Sequence, residues 1–506
     1  MSGPGYSRRS EFRRGRARVA WLTAVAGGLL LVAAFTSGIP RVTQAPRPGL
    51  LSAHLLARTV AAATTSCTPG SPEQNLPQSG FSCPVEIPGS GGLGEPSIIH
   101  DGQGRLFVTA PQALGNIQTS GGSPLFTSAD GGLSWGPPVR SQACTGLSGG
   151  DTDLATDSGG NIYQTDLWLG NSCLSVSEDH GQSFAAGNPF GSELQPGDDR
   201  PWLAYNKISN QLYIAYDGLD ALHVANTGPL ASPLLGIQAI QDTPAVPEVA
   251  VSSGSVPDSI RECVCPPGGI AVDNTTGPHS GRVYISYSYQ HGTAISFADL
   301  VGAGPARTAG TWSSPIAIPG SGSSGSAFEN EWNFDPIAVD GNGTVYVAWA
   351  HASGFDASTN LAANGVEIDY AFSRDGGSTW SSPFKLSSEG GTATFPTMSV
   401  AGNGVLDFAW YGDPSRTVDP NLDSSGQWNL YYARVTKANT SAPSISPKIA
   451  IKDMHNGCIQ TGGGASCTDR SLLDFFQITD VSGHPAIIYT AGDANAGVNL
   501  WFTKRT

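Results

Sequence analysis

The sequence predicts an all-β protein, a β-propeller of seven four-stranded blades. Three observations predict this fold. A turn of the form S-x-D-x-G-x-[ST]-[WF] occurs three times. A longer strand–turn–strand unit recurs seven times along the chain. The composition, with 65 Gly, 36 Pro and only 3 Met in 506 residues, is typical of many short strands joined by tight turns.

The first 45 residues predict a targeting segment. Six arginines and one glutamate lie within residues 1–18, and residues 19–39 carry no charge. An uncharged run of this length fits a long signal peptide, and it also fits the roughly 20 residues that span a bilayer as a helix. Thr-Gln-Ala at 43–45 would suit the end of a cleavage site. A cleaved signal peptide and an uncleaved N-terminal membrane anchor therefore both stay open, and either places the protein outside the cytoplasm, secreted or anchored.

Residues 46–80 are rich in Pro, Ser and Ala and predict a linker, which leaves residues 81–506 for the propeller. The eight cysteines are an even number and suit an oxidising compartment. Cys458 and Cys467 enclose a Gly-rich loop and are expected to form a disulfide. Other plausible pairs are Cys67 with Cys83 and Cys144 with Cys173, whereas Cys263 and Cys265 stay unassigned.

Each of the seven repeats begins with an apolar strand that ends in Asp or a substitute, followed by a Gly/Asn turn and a strand rich in Tyr, Val and Ile. The strand-end positions, 49 to 79 residues apart, are Asp101, Asp157, Asn206, Asp273, Asp340, Ala401 and Asp480. A third strand, a second turn and a fourth strand complete each unit. Fourth strands are expected at 137–140, 233–240, 315–318, 383–386 and 447–451.

The two ends of the propeller are expected to share one blade. The last repeat supplies only three strands, at 474–479, 486–490 and 498–503, while residues 83–87 form an isolated apolar strand before the first repeat. Pairing this N-terminal strand with the last repeat would complete the last blade and close the ring, covering two exposed strand edges.

The three short turns lie at residues 128–135, 177–184 and 373–380. In each, Asp is expected to accept hydrogen bonds from backbone amides, Gly to take a positive φ, and the closing Trp or Phe to pack between sheets. The motif is the Asp box, and the chain resembles the sialidase-like (BNR, Asp-box) β-propellers. The resemblance implies the fold, because Asp boxes are structural and lie away from the active site in that family.

A true sialidase is not expected. Sialidases need three arginines for the substrate carboxylate, a Tyr nucleophile with a Glu partner, and an Asp acid. Their Arg-Ile-Pro hallmark is replaced here by Glu95-Pro96-Ser97-Ile98, and their known folds have six blades. The four arginines expected on the face opposite the Asp boxes are Arg200, Arg261, Arg416 and Arg470.

Strand direction predicts which acidic and aromatic residues share that face. It should carry the links into each first strand and the links from second to third strands. The first set contains Glu95, Asp151, Asp153, Asp198, Asp199, Arg200, Glu331 and Asp474. The second contains Asp166, Trp168, Tyr216, Asp217, His291, Trp349, His351, Trp410, Tyr411 and Asp413.

Carboxylates beside aromatic rings are what sugar chemistry requires, because rings stack on sugar C–H groups and paired acids act on a glycosidic bond. The predicted catalytic residues are Asp199, Glu331 and Tyr411. The predicted ligand-binding residues are Arg200, Trp168, Arg416 and Asp153. The alternative is structural: second-strand aromatics commonly pack between blades, and acids at strand starts cap turns.

Two classes of function follow. One is an exported glycoside hydrolase of sialidase-like architecture, and the other a non-catalytic propeller that recognises a glycan or a protein at the cell surface. No P-loop, H-E-x-x-H or paired C-x-x-C motif occurs, so no cofactor and no metal are predicted. The net charge is −15, and because residues 1–18 carry +5, the rest carries −20. This excludes nucleic acid and, apart from an N-terminal anchor, the membrane surface as partners.

Overall fold

The computed structural model describes residues 80–111, 121–142, 150–168, 171–190, 198–218, 221–247, 267–289, 292–302, 307–322, 334–352, 354–356, 361–387, 390–461, 467–493 and 497–506. The predicted targeting segment and, apart from Gly80, the predicted linker lie outside these ranges, so both stay predictions. Within them, no helix is long and apolar enough to cross a membrane.

Seven antiparallel sheets in the described ranges form the blades of a propeller, as predicted. Strand β1 (Val85–Glu86) comes before them. Blade 1 consists of β2 (Ser97–His100), β3 (Leu106–Thr109) and β4 (Leu125–Ser128). Blade 2 consists of β5 (Leu154–Thr156), β6 (Ile162–Trp168), β7 (Asn171–Ser177) and β8 (Ala186–Phe190). Blade 3 consists of β9 (Asp199–Asn206), β10 (Gln211–Asp217), β11 (Ala221–Asn226) and β12 (Gln241–Pro247).

The remaining blades follow the same plan. Blade 4 consists of β13 (Gly269–Val272), β14 (Val283–Tyr289), β15 (Gly292–Ala298) and β18 (Ile316–Ala317), with a small hairpin of β16 (Leu300–Val301) and β17 (Thr308–Ala309). Blade 5 consists of β19 (Ile337–Val339), β20 (Val345–Ala352), β23 (Val366–Ser373) and β24 (Phe384–Lys385), with the hairpin β21 (Phe355–Asp356) and β22 (Leu361–Ala362). Blade 6 consists of β25 (Thr392–Gly402), β26 (Val405–Asp413), β27 (Gln427–Thr436) and β28 (Ser444–Asn456), with a 3-10 helix at Pro420–Leu422. Blade 7 contains β29 (Gln477–Val481), β30 (His484–Asp493) and β31 (Gly497–Lys504).

The first strands of the blades form the inner wall of the ring. Each contacts the first strand of the next blade all the way round, in the order β2, β5, β9, β13, β19, β25, β29 and back to β2. Because the strands within a blade alternate in direction, the links into the first strands lie on one face, here called the mouth face. The turns between first and second strands and between third and fourth strands lie on the other, the turn face.

The acids at the ends of the first strands hold the turns between first and second strands, as the repeat predicted. Asp157 Oδ1 accepts hydrogen bonds from the backbone amides of Gly159 (2.8 Å) and Asn161 (3.0 Å). Asp340 accepts from the amides two and four residues on, at 2.9 and 3.0 Å. The same carboxylates accept the hydroxyl of a second-strand tyrosine, Tyr163 or Tyr346. One acid thus fixes the turn and also anchors a buried ring.

The three S-x-D-x-G turns have the same geometry in the structure. In the turn at 373–380, the Ser373 hydroxyl donates to Asp375 at 2.8 Å, and the amide and hydroxyl of Thr379 donate to the same carboxylate at 2.8 and 2.6 Å. Gly377 has a φ of +88°, and a Cβ there would lie 2.7 Å from Ile295 of the preceding blade. The turn therefore needs glycine both for its backbone and for packing between blades.

Replacing Asp375 with Ala is expected to lower the free energy of unfolding by about 1–2 kcal/mol, because three hydrogen bonds to one carboxylate are lost, two of them exposed and one partly buried. Urea denaturation measures the change. The matched control is Ser378→Ala in the same turn, which removes one exposed hydrogen bond to a carbonyl. Equal losses for the two variants would contradict this role of the carboxylate.

The fourth strands agree with the prediction in three of the five places. Residues 315–318, 383–386 and 447–451 contain or lie within β18, β24 and β28. In blade 1 the fourth strand is reduced to one bridge between Val139 and Leu125. Residues 233–240 were wrongly predicted as a strand: they contain helix α1 (Pro233–Ile237), and β12 is the outer strand of blade 3. Proline suits the first turn of a helix and cannot donate to a strand ladder, which is the physical reason.

Strand β1 pairs with β31, so blade 7 contains residues from both ends of the described chain. Val85 lies opposite Phe502 and Glu86 opposite Trp501, and the Ile87 amide donates to the Leu500 carbonyl at 2.9 Å. That this pairing holds the ring closed stays a prediction, and its test opens the Discussion.

The predicted disulfide between Cys458 and Cys467 is present, with a Cα–Cα distance of 5.9 Å. Cys83 is also in a disulfide bond, and so is Cys173. Their predicted partners Cys67 and Cys144 lie outside the described residues, so those two pairings stay predictions, as does the state of Cys263 and Cys265.

Candidate functional site

A group of charged side chains gathers on the mouth face where the first strands of four blades begin. The group, here called the mouth cluster, consists of Glu95 before blade 1, Asp151 before blade 2, Asp199 and Arg200 at the start of blade 3, and Arg470 and Asp474 before blade 7. These residues are far apart in the sequence, and the ring brings them together because every first strand starts at the centre of the same face.

Arg200 is the centre of the mouth cluster. Its Nη2 donates to Asp474 Oδ2 at 2.8 Å, and its Nε lies 3.4 Å from Asp199 Oδ2 and 3.9 Å from Asp151 Oδ2. The guanidinium carbon lies 4.4 Å from the centre of the Phe334 ring, a cation–π arrangement. Burial lowers the pKa of Arg200, but the surrounding carboxylates raise it further, so the net shift is upward.

Asp474 joins the two arginines. Its Oδ2 accepts hydrogen bonds from Arg200 and from Arg470, each at 2.8 Å, and its backbone amide donates to Glu95 Oε1 at 3.0 Å. The side chain is 3% exposed, and its Oδ1 is buried with no hydrogen-bond partner. A buried carboxylate oxygen without a donor marks a position that a bound molecule or a water can fill.

Two acids of the mouth cluster favour their protonated forms. Burial, reinforced by the charge of Asp474, raises the pKa of Glu95 to about 7, although Arg200 and Arg470 oppose the shift. Burial and the charges of Glu95 and Asp199 raise the pKa of Asp151 well above its usual range. Two carboxyl groups at the centre of this face therefore hold protons more readily than free carboxyl groups do.

An aromatic layer lies beside the mouth cluster, since the centre of its Phe334 ring is 4.4 Å from the Arg200 guanidinium carbon. Trp202 meets Phe475 edge-on at 4.7 Å between ring centres, and Phe334 lies 5.5 Å from Phe475 and 6.3 Å from Phe395. These rings come from blades 3, 5, 6 and 7 and are 1–6% exposed. The layer therefore joins four blades of the ring beside the charged groups.

The backbone of the mouth is strained at equivalent positions. Glu95, Arg200 and Phe395 each have a positive φ, of 52°, 54° and 55°, and each stands directly before a proline. Non-glycine residues rarely adopt this conformation, and a following proline restricts them further towards extended backbone. Such strain persists only where the surrounding structure enforces it, and it concentrates at functional sites.

The stability of the protein is expected to fall as pH rises through the range in which Glu95 titrates. Its pKa is about 7 in the folded protein against 4.5 for the unperturbed side chain, so between these values the folded state binds more protons than the unfolded state. The contribution of Glu95 to the free energy of unfolding is therefore fully present below about pH 4.5. It decreases by on the order of 3 kcal/mol by the time the pH exceeds 7. Asp151 acts in the same direction.

Chemical denaturation at several pH values measures this dependence, and Glu95→Gln should flatten it. The control is Glu178→Gln, an exposed acid in a turn-face turn, which should leave it unchanged. A Glu95→Gln profile parallel to that of the unmodified protein would show that Glu95 titrates normally.

The structure brings two of the predicted site residues together, Asp199 and Arg200. Asp153 lies deeper, where it accepts hydrogen bonds from Ser97 (2.7 Å), the Leu203 amide (2.8 Å) and Gln477 (3.2 Å). Both its oxygens are thus occupied by donors of blades 1, 3 and 7. This geometry gives Asp153 a role in joining blades, and its predicted ligand contact is untested.

The other predicted residues lie elsewhere or cannot be described. Tyr411 is fully buried, stacks on Phe476 at 4.3 Å and exchanges hydrogen bonds with the Thr490 backbone. A nucleophile must reach its substrate, so the structure gives Tyr411 a packing role. Arg416 is 43% exposed and pairs with Asp423 at 3.2 Å. Trp168 ends β6, but its side chain, like all of Glu331, lies outside the described residues.

Sequence reasoning missed the aromatic layer and the central position of Asp474. Glu95, Asp151, Arg470 and Asp474 were assigned to the correct face but were not selected as site residues. A signal was available for the acids, since each stands a few residues before a first strand. Nothing in the sequence distinguishes Phe334 or Phe475 from other core aromatics.

A cavity of about 300 Å³ lies on the turn face between blades 7 and 1. Leu106, Val481 and Ala486 line it together with Lys504 and Arg505. It lies away from the carboxyl groups of the mouth cluster. We favour the mouth as the functional site because strained backbone, buried charges and shifted pKa values coincide there.

No protein-family model and no curated protein matches the chain. Solved structures, in contrast, match the chain. A protein of unknown function from Dyadobacter fermentans matches with 12% identity over 85% of this chain and 100% of that chain, at a TM-score of 0.43. The NanB sialidase of Streptococcus pneumoniae matches with 12% identity over 86% of this chain and 70% of that one, at a TM-score of 0.40.

The GH93 α-L-arabinofuranosidase of Fusarium graminearum matches with 11% identity over 84% of this chain and 98% of that chain, at a TM-score of 0.41. In its fold, the chain resembles the sialidase-like β-propellers. Identities this low transfer no substrate and no catalytic residue to the mouth cluster.

Proposed function

We propose that the protein is an exported propeller that binds glycans on its mouth face. The observation that carries the proposal is the convergence of four carboxyl groups and two guanidinium groups from four blades at one end of the ring. Propeller ligands usually bind at a mouth of the channel. Sugar hydroxyls both donate and accept hydrogen bonds, and a mixed set of carboxyl and guanidinium groups supplies partners of both kinds.

Export is part of the proposal. The uncharged run at residues 19–39 after a basic segment supports it. The disulfide between Cys458 and Cys467 is compatible with an oxidising compartment. Glycans are abundant where such proteins are delivered, which makes location and ligand consistent with each other.

Glycoside hydrolysis is the second candidate, and the state of Glu95 favours it. A carboxyl group with a pKa of about 7 can act as a general acid near neutral pH. However, Asp474, Asp199 and Asp151 lie 2.8, 3.4 and 3.9 Å from nitrogens of the Arg200 guanidinium, and an ion-paired carboxylate is a weaker base than a free one. Recognition without turnover therefore fits the arrangement better.

A glycan-array screen followed by a hydrolysis assay on every bound glycan tests both candidates. Binding is expected, and Asp199→Asn and Arg470→Ala should weaken it. Both side chains are partly exposed, at 43% and 31%, so these changes should leave the fold intact. The matched control is Arg374→Ala on the turn face, where the guanidinium lies over Phe372.

The outcomes separate the candidates. Binding without turnover supports the recognition protein, and turnover abolished by Asp199→Asn or Glu331→Gln supports the hydrolase. No binding to any glycan by the folded protein would reject the proposed function. A larger loss from Arg374→Ala than from Arg200→Ala or Arg470→Ala would show that the ligand binds the turn face.

A further inference from the structure

The cavity on the turn face between blades 7 and 1 has an apolar floor. Leu106 and Ala486 are buried members of the hydrophobic core between these two blades, and Val481 is half-buried against it. Gly104 and Gly131, each in a turn of blade 1, form part of the wall without contributing a side chain. The space of about 300 Å³ is large enough to bury most of a small ligand.

The ionisable residues that line this cavity are all basic. They are His484, Lys504 and Arg505, and none of the described lining residues is an aspartate or a glutamate. This lining differs from the rest of the protein, in which acids outnumber Lys and Arg by 41 to 26 and the net charge is −15. A concave surface with one sign of charge concentrates ions of the opposite sign. The cavity is therefore suited to an anion.

Two of the three basic residues are engaged within the protein. The Arg505 guanidinium donates a hydrogen bond to the Tyr432 hydroxyl at 3.2 Å, and its carbon lies 5.6 Å from the centre of that ring. The Nδ1 of His484 lies 3.2 Å from the Arg505 carbonyl oxygen. Because a carbonyl oxygen only accepts hydrogen bonds, this nitrogen carries a proton and donates it to the backbone.

The Lys504 ammonium is the group that remains for a ligand. A Cβ on Gly131 would lie 2.9 Å from Nζ, so the ammonium lies against the turn at 128–135. The backbone that carries it is fixed, since its amide donates to Ser82 Oγ at 3.1 Å and its carbonyl accepts from the Ser82 amide at 2.8 Å. Within the described part of the chain, Lys504 Nζ has neither a carboxylate at ion-pair distance nor a hydrogen-bond partner.

The acids that neighbour the cavity residues in the sequence have donors of their own. Asp101 pairs with Arg105 at 2.6 Å, and Asp480 pairs with Arg434 at 3.3 Å. Asp130 accepts hydrogen bonds from the hydroxyls of the two serines in its own turn. These contacts leave the charge of Lys504 available to an anion from solution.

We propose that this cavity binds a small organic monocarboxylate with an apolar body the size of one ring. The carboxylate pairs with Lys504 Nζ, and the apolar body lies against the floor of Leu106, Val481 and Ala486. A volume at the lower end of the range for ligand pockets favours a small molecule over a protein segment. A phosphate group has three strong acceptor oxygens and would leave most of them facing apolar side chains. The inference is independent of glycan binding on the mouth face.

Four probe molecules test the inference in ligand-observed NMR titrations of the full-length chain: phenylacetate, 2-phenylacetamide, acetate and phenyl phosphate. Phenylacetate is expected to bind about fivefold more tightly than 2-phenylacetamide, which has the same shape but no charge. Acetate has the charge without the ring and should show no saturable binding. Phenyl phosphate should bind more weakly than phenylacetate.

Variants assign the binding to the cavity. Lys504→Met retains the length of the side chain and removes its charge, so phenylacetate should then bind no more tightly than 2-phenylacetamide. The matched control is Lys207→Met, at an exposed position in a turn-face turn of blade 3, which should leave both affinities unchanged. Val481→Phe fills the cavity and should weaken both ligands. Circular dichroism and the melting temperature establish that each variant is folded.

Three results would overturn the inference. Equal affinities for phenylacetate and 2-phenylacetamide, or a preference for the carboxylate that survives Lys504→Met, would show that the ammonium does not hold the ligand. Tighter binding of phenyl phosphate than of phenylacetate would reject the monocarboxylate. The absence of saturable phenylacetate binding would reject the site itself. Glycan binding on the mouth face should be unchanged in Lys504→Met, so this inference and the proposed function fail separately.

Discussion

Deleting residues 81–90 is expected to lower the melting temperature of the protein sharply. The deletion removes β1 from blade 7 and exposes the edge of β31, with which Val85 and Glu86 pair. It also removes Ile87, which is fully buried, and Phe81, whose ring meets Tyr432 edge-on at 5.1 Å. An unpaired outer strand leaves backbone groups unsatisfied and invites aggregation.

The deletion also removes Cys83 and its disulfide, so a substitution must separate the two effects. Ile87→Asp retains the cysteine and places a charge in the core between blades 7 and 1, which should cost about 3–5 kcal/mol. Pro88→Ala, at the exposed neighbouring position, should cost little. Thermal denaturation compares the three variants, and an unchanged melting curve for the deletion would show that the ring does not depend on β1.

Replacing Asp474 with Asn is expected to destabilise the protein by about 3–5 kcal/mol, because it leaves two buried or half-buried arginines without their shared carboxylate. Arg200 is only 16% exposed, and its Nη2 depends on Asp474 Oδ2. Removing one partner of a buried ion pair costs more than the pair contributes, since the remaining charge stays desolvated. Urea denaturation of the variant measures the loss.

The control is an exposed ion pair between a carboxylate and an ammonium group. Glu367 and Lys385 lie 2.5 Å apart but are 41% and 46% exposed, so Glu367→Gln should cost less than about 1 kcal/mol. A loss for Asp474→Asn as small as that of the control would mean that water reaches Arg200 and replaces the lost carboxylate.

Local sequence determined the repeated parts of the fold. The three S-x-D-x-G turns and the strand-end acids form their hydrogen bonds to partners two to four residues away in the chain. Such contacts are encoded within a short segment, and the sequence predicted them correctly. The alternation of strand direction within each repeat also assigned Asp199 and Arg200 to the same face as Glu95 and Asp474.

Helix α1 shows where local sequence misled. Residues 233–240 matched the other fourth strands in starting with proline and continuing with apolar residues. The same proline suits the first position of a helix, and Ile237 is buried once the helix packs on blade 2. The pattern was compatible with both structures, and packing decided between them.

Only the tertiary structure decided which residues form the site. The bond from the Asp474 amide to Glu95 joins residues 379 positions apart, and the pair of Arg200 with Asp474 spans 274 positions. Such contacts depend on how many blades the ring contains and how closely their inner strands approach, which no local pattern specifies. Tyr411 and the mouth cluster were assigned to the same face, but only packing shows that the tyrosine is buried and the charged groups converge. The sequence alone therefore determined the blades and the orientation of their faces, and the closure of seven blades around one axis determined which side chains meet.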